Sequence, residues 1–191
     1  MKTSNKRFAR QILNKEISAL RRTAKLIDND FDEACQILSN TNGKVITLGL
    51  GKSSFVAMKM AATLSSTGTS ALFLHPVDAL HGDVGVIKKN DVVIIYSNSG
   101  ETQEVVKLLP LLKLLKCCII SITGNLSSSL AQYSEISLDA SVTREACPHN
   151  LAPTSSIICA LAISDALALA VSSQNNFTIK VNENNYILSL R

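Results

Sequence analysis

The sequence predicts a single α/β domain: a three-layer sandwich with helices on both faces of a five-stranded, mainly parallel sheet, preceded by a helical N-terminal arm. Short β-branched or aliphatic runs recur between Lys44 and Leu138, and stretches with helical spacing separate them. Strands joined through helices run parallel, because a parallel neighbour needs a crossover longer than a hairpin. The 191 residues, 46% hydrophobic and 18% charged, are enough for one substantial core. The domain is expected over 1–191, with the arm at about 5–40, the core at about 43–175 and a C-terminal tail at 176–191.

The arm comes first. Phe8, Ile12, Ile17, Leu20 and Ala24 recur at helical spacings between about Asn5 and Leu26, and a second helical stretch from Asp30 carries Phe31, Ala34, Ile37 and Leu38. Such an arm covers a sheet face or packs against another subunit.

After Gly43 the period changes. Lys44 to Leu48 is β-branched, short and closed by Gly49, which marks a first strand. A helix from about Ser53 to Ser66 ends at Gly68 in a C-cap, and Ala71 to Leu74 is the second strand. A loop with His75, His81 and Asp83 leads to the third strand, Val92 to Tyr96. The next helix runs from Glu101 to about Lys116, with a kink expected at Pro110. Cys118 to Ile122 is the fourth strand, Ser128 to Gln132 a short helix, and Ile136 to Leu138 the fifth strand. The last long helix, Ser155 to Ser173, is so uniformly apolar that burial on most sides is expected.

Composition excludes several function classes. Trp is absent and aromatic residues make up 4%, which argues against a base-stacking nucleic-acid surface. The net charge of +4 gathers near the N-terminus, at Lys2, Lys6, Arg7, Arg10, Lys15, Arg21, Arg22 and Lys25. Its spacing is that of the solvated face of an amphipathic helix. Five cysteines without C-x-x-C spacing suggest neither a disulfide framework nor a zinc site, so a reducing cytoplasm is expected. The apolar stretches are broken by Lys113, Lys116 or Asp165, and no membrane span is expected.

Ligands of parallel sheets bind beyond the carboxyl ends of the strands, and every motif of interest lies there. Ser97-Asn98-Ser99-Gly100-Glu101-Thr102 sets hydroxyls and a glycine at a strand-to-helix turn. The unpaired N–H groups and dipole of a helix start can hold a phosphate there, although hydroxyls also serve as ordinary N-caps. Gly49-Leu50-Gly51-Lys52-Ser53 is a second such turn. It is not a Walker A loop, since Ile46 stands where a glycine is required, and Ser54 breaks the dinucleotide fingerprint. What remains is a tight turn open to a ligand, with Lys52 as a movable cation.

His75, His81 and Asp83 match no standard metal-ligand spacing, and His81 reads better as a proton carrier or sugar-hydroxyl partner. Thr154, Ser155 and Ser156 open the last helix and serve as caps or phosphate donors. Glu145 precedes a loop stiffened by Pro148 and Pro153, a suitable place for a general base. Glu104, in the first turn of the helix after the hydroxyl-rich turn, is the other candidate. Glu101 reads as a dipole-satisfying acid.

These stretches, with Ala61 to Thr69 and Glu145 to Ser156, resemble the SIS (sugar isomerase) domain, and more narrowly the arabinose 5-phosphate isomerases of Gram-negative bacteria. The resemblance runs from about Leu13 to Phe177. It implies the SIS fold and interconversion of D-ribulose 5-phosphate and D-arabinose 5-phosphate, on the route to the lipopolysaccharide sugar Kdo. It implies no cofactor or metal, a homotetramer built as a dimer of dimers, and neither nucleic-acid nor membrane partners. The catalytic positions fall on Lys52, His81, Glu104 and Glu145. Sugar-phosphate contacts are expected at Gly51, Ser53, Ser97, Ser99, Thr102 and Ser155.

Two departures stand out. Relatives commonly continue into a pair of CBS domains that this chain stops before, so regulation through them is not expected. The family's histidine after the last long helix falls on Tyr186. A phenol titrates near pH ~10 against ~6.5 for imidazole, and so does not replace histidine as a proton shuttle. A non-catalytic phosphosugar-binding or sensing module, or an isomerase of another phosphosugar, stays open as the alternative.

Overall fold

The computed structural model describes residues 4–182 and 185–189, with side chains through 178. The expected sandwich forms. Helices α1 (Asn5–Leu26) and α2 (Asn29–Ser39) precede β1 (Val45–Gly49), α3 (Lys52–Ser66) and β2 (Ala71–Leu74). Then come α4 (Pro76–Leu80), a 3-10 turn at Asp83–Val86, β3 (Val92–Ser97), α5 (Gln103–Leu115), β4 (Cys118–Thr123), α6 (Ser129–Tyr133), β5 (Ile136–Asp139) and α7 (Ser155–Gln174).

The five strands are all parallel, in the order β2-β1-β3-β4-β5. The chain leaves β1 toward β2 and returns on the other side of β1 as β3. That reversal opens a crevice between the carboxyl ends of β1 and β3, the place where such sheets take ligands.

Side chains alternate across the sheet. On β3, Val92, Ile94 and Tyr96 join the core under α2, α3 and α7, whereas Val93 and Ile95 join the one under α4, α5 and α6. Both faces of the strand are covered, which is why it reads as an unbroken apolar run. At the amino-terminal edge, buried Asp91 accepts from Lys44 N at 2.9 Å, Lys88 N at 2.8 Å and Lys44 Nζ at 2.8 Å. One carboxylate thus fixes the register of β1 against β3.

One expectation is corrected, and three others gain detail. The loop with His75, His81 and Asp83 is the short helix α4 and a 3-10 turn. Pro76 supplies the preset φ of a first helical position, and each element is too short to show a period. Pro110 lies inside α5, which runs as one helix from Gln103 to Leu115. α7 buries Cys159, Ile163, Leu167 and Val171, but Leu169 stays 59% exposed, so one side is open. α7 is long and apolar enough to span a bilayer by composition, and its packing against α1, α2 and α3 is that of a core helix. The expected tail contains β6 (Thr178–Asn182) and β7 (Asn185–Ser189), paired antiparallel with Val181 opposite Tyr186. The Tyr186 side chain lies outside the described residues.

Candidate functional site

A cavity of about 530 Å³ lies across the carboxyl ends of the sheet. Lys52 and Ser53 after β1, Ser97 to Ser99 and Thr102 after β3, Thr123 and Gly124 after β4, and Ala140 and Val142 to Glu145 after β5 line it, and α7 adds Ser156, Ile157 and Ala160. Helices α3, α5 and α7 all begin here, so their positive dipole ends converge on one space.

The three helix starts are finished differently. α3 begins after Gly51, at φ 58°, with no side-chain cap. Gly49 is required just before it, because a Cβ there would lie 2.6 Å from the Ser53 carbonyl oxygen. Lys52, the first residue of α3, is exposed at the rim.

α5 begins after Thr102, which makes no side-chain bond to the helix either. Its hydroxyl lies 2.9 Å from Ser97 Oγ instead, and Ser97 Oγ accepts from Gly100 N at 3.1 Å. Ser97 is buried, so its hydroxyl braces the turn from within. Ser99 Oγ, on the exposed side, accepts from Glu101 N at 3.2 Å. Gly100 holds φ +68°, and a Cβ there would come 1.9 Å from Ser128 Oγ. The turn is therefore wedged against the start of α6, with the first amides of α5 left for a ligand.

α7 is already capped. Glu145 Oε2 accepts from Thr154 N at 2.8 Å, Thr154 Oγ1 at 3.2 Å and Ser156 N at 3.2 Å, and Oε1 accepts from the Ser156 hydroxyl. Burial alone would raise the Glu145 pKa. Donation from the Ser156 hydroxyl and from the Thr154 and Ser156 N–H groups outweighs it and holds the carboxyl below its ordinary value. The expected capping hydroxyls face elsewhere: Ser155 Oγ accepts from Ala146 N at 3.1 Å and Thr154 Oγ1 from Cys147 N at 3.2 Å. The loop and the helix start are thus knitted together.

The charge balance follows. Lys52, Arg144 and two uncapped helix starts face the cavity, while its one lining carboxylate is consumed as a cap. Such a space favours a dianion such as a phosphate monoester. On its floor the Tyr96 hydroxyl, buried and 2.8 Å from Ser164 Oγ, is kept neutral because burial pushes its pKa up.

Residues 37–170 match the SIS domain family. The chain belongs to that family. It is 53% identical over 152 residues to arabinose 5-phosphate isomerase KdsD of Pseudomonas aeruginosa, covering 80% of this chain and 47% of that protein. To the KdsD of Francisella tularensis it is 46% identical over 181 residues, covering 93% of this chain and 55% of that protein. The chain therefore spans about half the length of these relatives. A solved protein of Escherichia coli CFT073 in complex with arabinose 5-phosphate has a TM-score of 0.88 at 38% identity, covering 92% of this chain and 95% of that one.

Of the residues expected to form the SIS site, Lys52, Ser53, Ser97, Ser99, Thr102 and Glu145 line the cavity. Gly51 shapes the α3 turn without lining it, and Ser155 is fully buried behind it. Glu104 is half-buried in the first turn of α5, and His81 is exposed at the end of α4; neither lines the cavity. His75 packs edge-on against Phe73, with ring centroids 6.3 Å apart. No group of three or more His, Cys, Asp or Glu side chains suited to a metal ion occurs among the described residues.

Sequence reasoning passed over Thr123, Ala140, Val142 and Thr143 as lining residues. The rule that ligands sit at strand ends could have found Thr123, which closes β4. The segment after β5 carries no motif. The cap role of Glu145 was also hidden, because it lies nine residues before Thr154, far from the capping-box spacing.

Proposed function

We propose that this chain is the isomerase domain of a D-arabinose 5-phosphate isomerase, interconverting D-ribulose 5-phosphate and D-arabinose 5-phosphate through a cis-enediol in Kdo and lipopolysaccharide biosynthesis. The observation that carries the reading is the anion-favouring cavity where α3 and α5 begin uncapped beside Lys52. Identity to the KdsD enzymes and likeness to a protein solved with arabinose 5-phosphate support the choice of sugar.

In this reading the phosphate rests on the first amides of α5 with Ser99 and Thr102, while Ser97 holds the turn in shape. Ser53 contributes from the start of α3. Lys52 offsets the negative charge that develops on the substrate oxygens as the enediol forms.

A base must move a proton between C1 and C2. Glu145 is poorly suited, because its oxygens are engaged and a lowered pKa weakens a base. The Glu104 carboxylate makes no hydrogen bond to another described residue and sits in the first turn of α5, two residues after Thr102 of the cavity wall, so the proton transfer is assigned to it. His81 serves ring opening or a sugar hydroxyl.

A cytoplasmic homotetramer, a dimer of dimers, belongs to the same reading. Phe55 on α3 is 68% exposed, Leu169 on α7 59% and Leu13 on α1 57%, apolar surface suited to a second copy.

One observation favours a second reading, a phosphosugar-binding module without turnover: Tyr186 stands where the family's histidine is expected. Incubation with ribulose 5-phosphate in heavy water separates the two. Deuterium at C2 of arabinose 5-phosphate supports the isomerase. Sugar-phosphate binding without exchange overturns it in favour of the binding module.

A further inference from the structure

The cavity wall after β5 is anchored from outside the sandwich, by the N-terminal arm. Ala140, Val142, Thr143, Arg144 and Glu145 line the cavity in a segment without regular structure. Ala140 N donates to Thr123 O at 2.8 Å, and Ser141 N to Asp139 Oδ1 at 2.7 Å. At the far end Glu145 N donates to Asn150 Oδ1 at 2.8 Å. Between them, Val142, Thr143 and Arg144 make no main-chain hydrogen bond to another described residue. Unsupported backbone of this kind opens readily.

Arg22 supplies the missing hold. From the last turns of α1, its Nη1 donates to the Ser141 carbonyl and, at 2.9 Å, to the Ser141 hydroxyl. α1 itself lies along α7, with Thr23 buried at the contact. Arg22 and Glu145 also lie close enough to act on one thiol. Burial raises the pKa of Cys159 in α7, a hydrogen bond with Thr23 lowers it, the Glu145 charge raises it and the Arg22 charge lowers it. The arginine thus stands behind the wall whose cavity side ends in Glu145.

We infer that Arg22 is a positioning residue for the sugar-phosphate cavity, fixing through Ser141 the wall segment from Ala140 to Glu145. Among the described residues, the neighbouring Arg21 and Lys25 of α1 make no side-chain hydrogen bond or ion pair of this kind. Both bonds leave one nitrogen, Nη1, whose two N–H groups are held in the guanidinium plane, and the freely turning ammonium of a lysine reproduces that only in part. The inference rests on the reading of this cavity as the substrate site.

The test compares the wild type with Arg22→Ala, Arg22→Lys and, as a control on the same helix, Arg21→Ala. Two readouts are taken: amide hydrogen exchange of Ala140, Ser141 and Glu145, the wall residues whose N–H groups are hydrogen-bonded, without ligand, and kcat and KM with arabinose 5-phosphate. Arg22→Ala is expected to speed exchange of the wall roughly tenfold while the β3 amides keep their protection. Its kcat is expected to fall about tenfold with KM altered less than about threefold, since displaced contacts cost rate more than affinity. Arg22→Lys recovers part of both losses, and Arg21→Ala matches the wild type. The inference is overturned if Arg22→Ala behaves like Arg21→Ala, or if it speeds exchange throughout the sheet, which marks a merely structural role. Should the wild type itself turn over no arabinose 5-phosphate, the functional reading fails, while the exchange of the wall still decides for or against Arg22.

Discussion

Ser156 binds Glu145 twice, with its backbone N–H at 3.2 Å from Oε2 and its hydroxyl on Oε1, so a glutamate on the pocket loop serves as the N-terminal cap of α7. A cap is worth about 1–2 kcal/mol. Glu145→Gln places an amide NH2 where a second acceptor is needed, and the melting temperature is expected to drop by roughly 4 °C. Scanning calorimetry measures it.

Acid should expose the same contact. The folded pKa values of Glu145 and Asp91 both lie below their ordinary values of 4.5 and 3.8, since their hydrogen bonds outweigh burial. Each group therefore contributes stability that is fully present above its unfolded value and is lost as pH falls through its folded value. Thermal stability is expected to hold above about pH 5 and to decline below it. In Glu145→Gln the decline should be shallower, which melting curves taken across this range will reveal.

Asp91 binds the Lys44 ammonium and two backbone N–H groups from a site 3% exposed. Its removal strands all three partners. Asp91→Ala is expected to cost about 3 kcal/mol, in urea unfolding with an unchanged m-value.

Gly100→Ala combines a strained φ of +68° with a Cβ that would lie 1.9 Å from Ser128 Oγ. The turn has to move. Binding of arabinose 5-phosphate, followed by calorimetry, is expected to weaken at least about tenfold. Ser99→Ala, which leaves the backbone alone, should weaken it less.

The assignment of the base makes a kinetic prediction. Glu104→Gln should lower kcat by roughly 10²–10⁴ with little change in KM, as for loss of a general base. An equal loss in a folded Glu145→Gln, with Glu104→Gln still active, would return the role to Glu145.

Much of the architecture was legible in the chain itself. The runs at Val92 to Tyr96 and Cys118 to Ile122 are β-branched, short and bounded by turns, so burial on both faces shows as apolarity broken only at Ser121. The hydroxyl-rich turn and the glycine turn before Lys52 were equally visible, because the backbone geometry of a strand-to-helix turn restricts which residues fit. α4 was missed because five residues are too few to display a period.

The sequence by itself determined the parallel sandwich, the strand ends at which a ligand sits and the residues that open two of the helices there. Those features depend on local backbone geometry and on periodicity, which act over a few residues. Only the tertiary structure decided what Ser97, Glu145 and Arg22 do. Ser97 turns inward as a brace, Glu145 closes a helix start nine residues away, and Arg22 reaches Ser141 across 119 positions. A hydrogen bond is a matter of a few ångströms, and no spacing in the chain records which distant groups the fold brings within that reach.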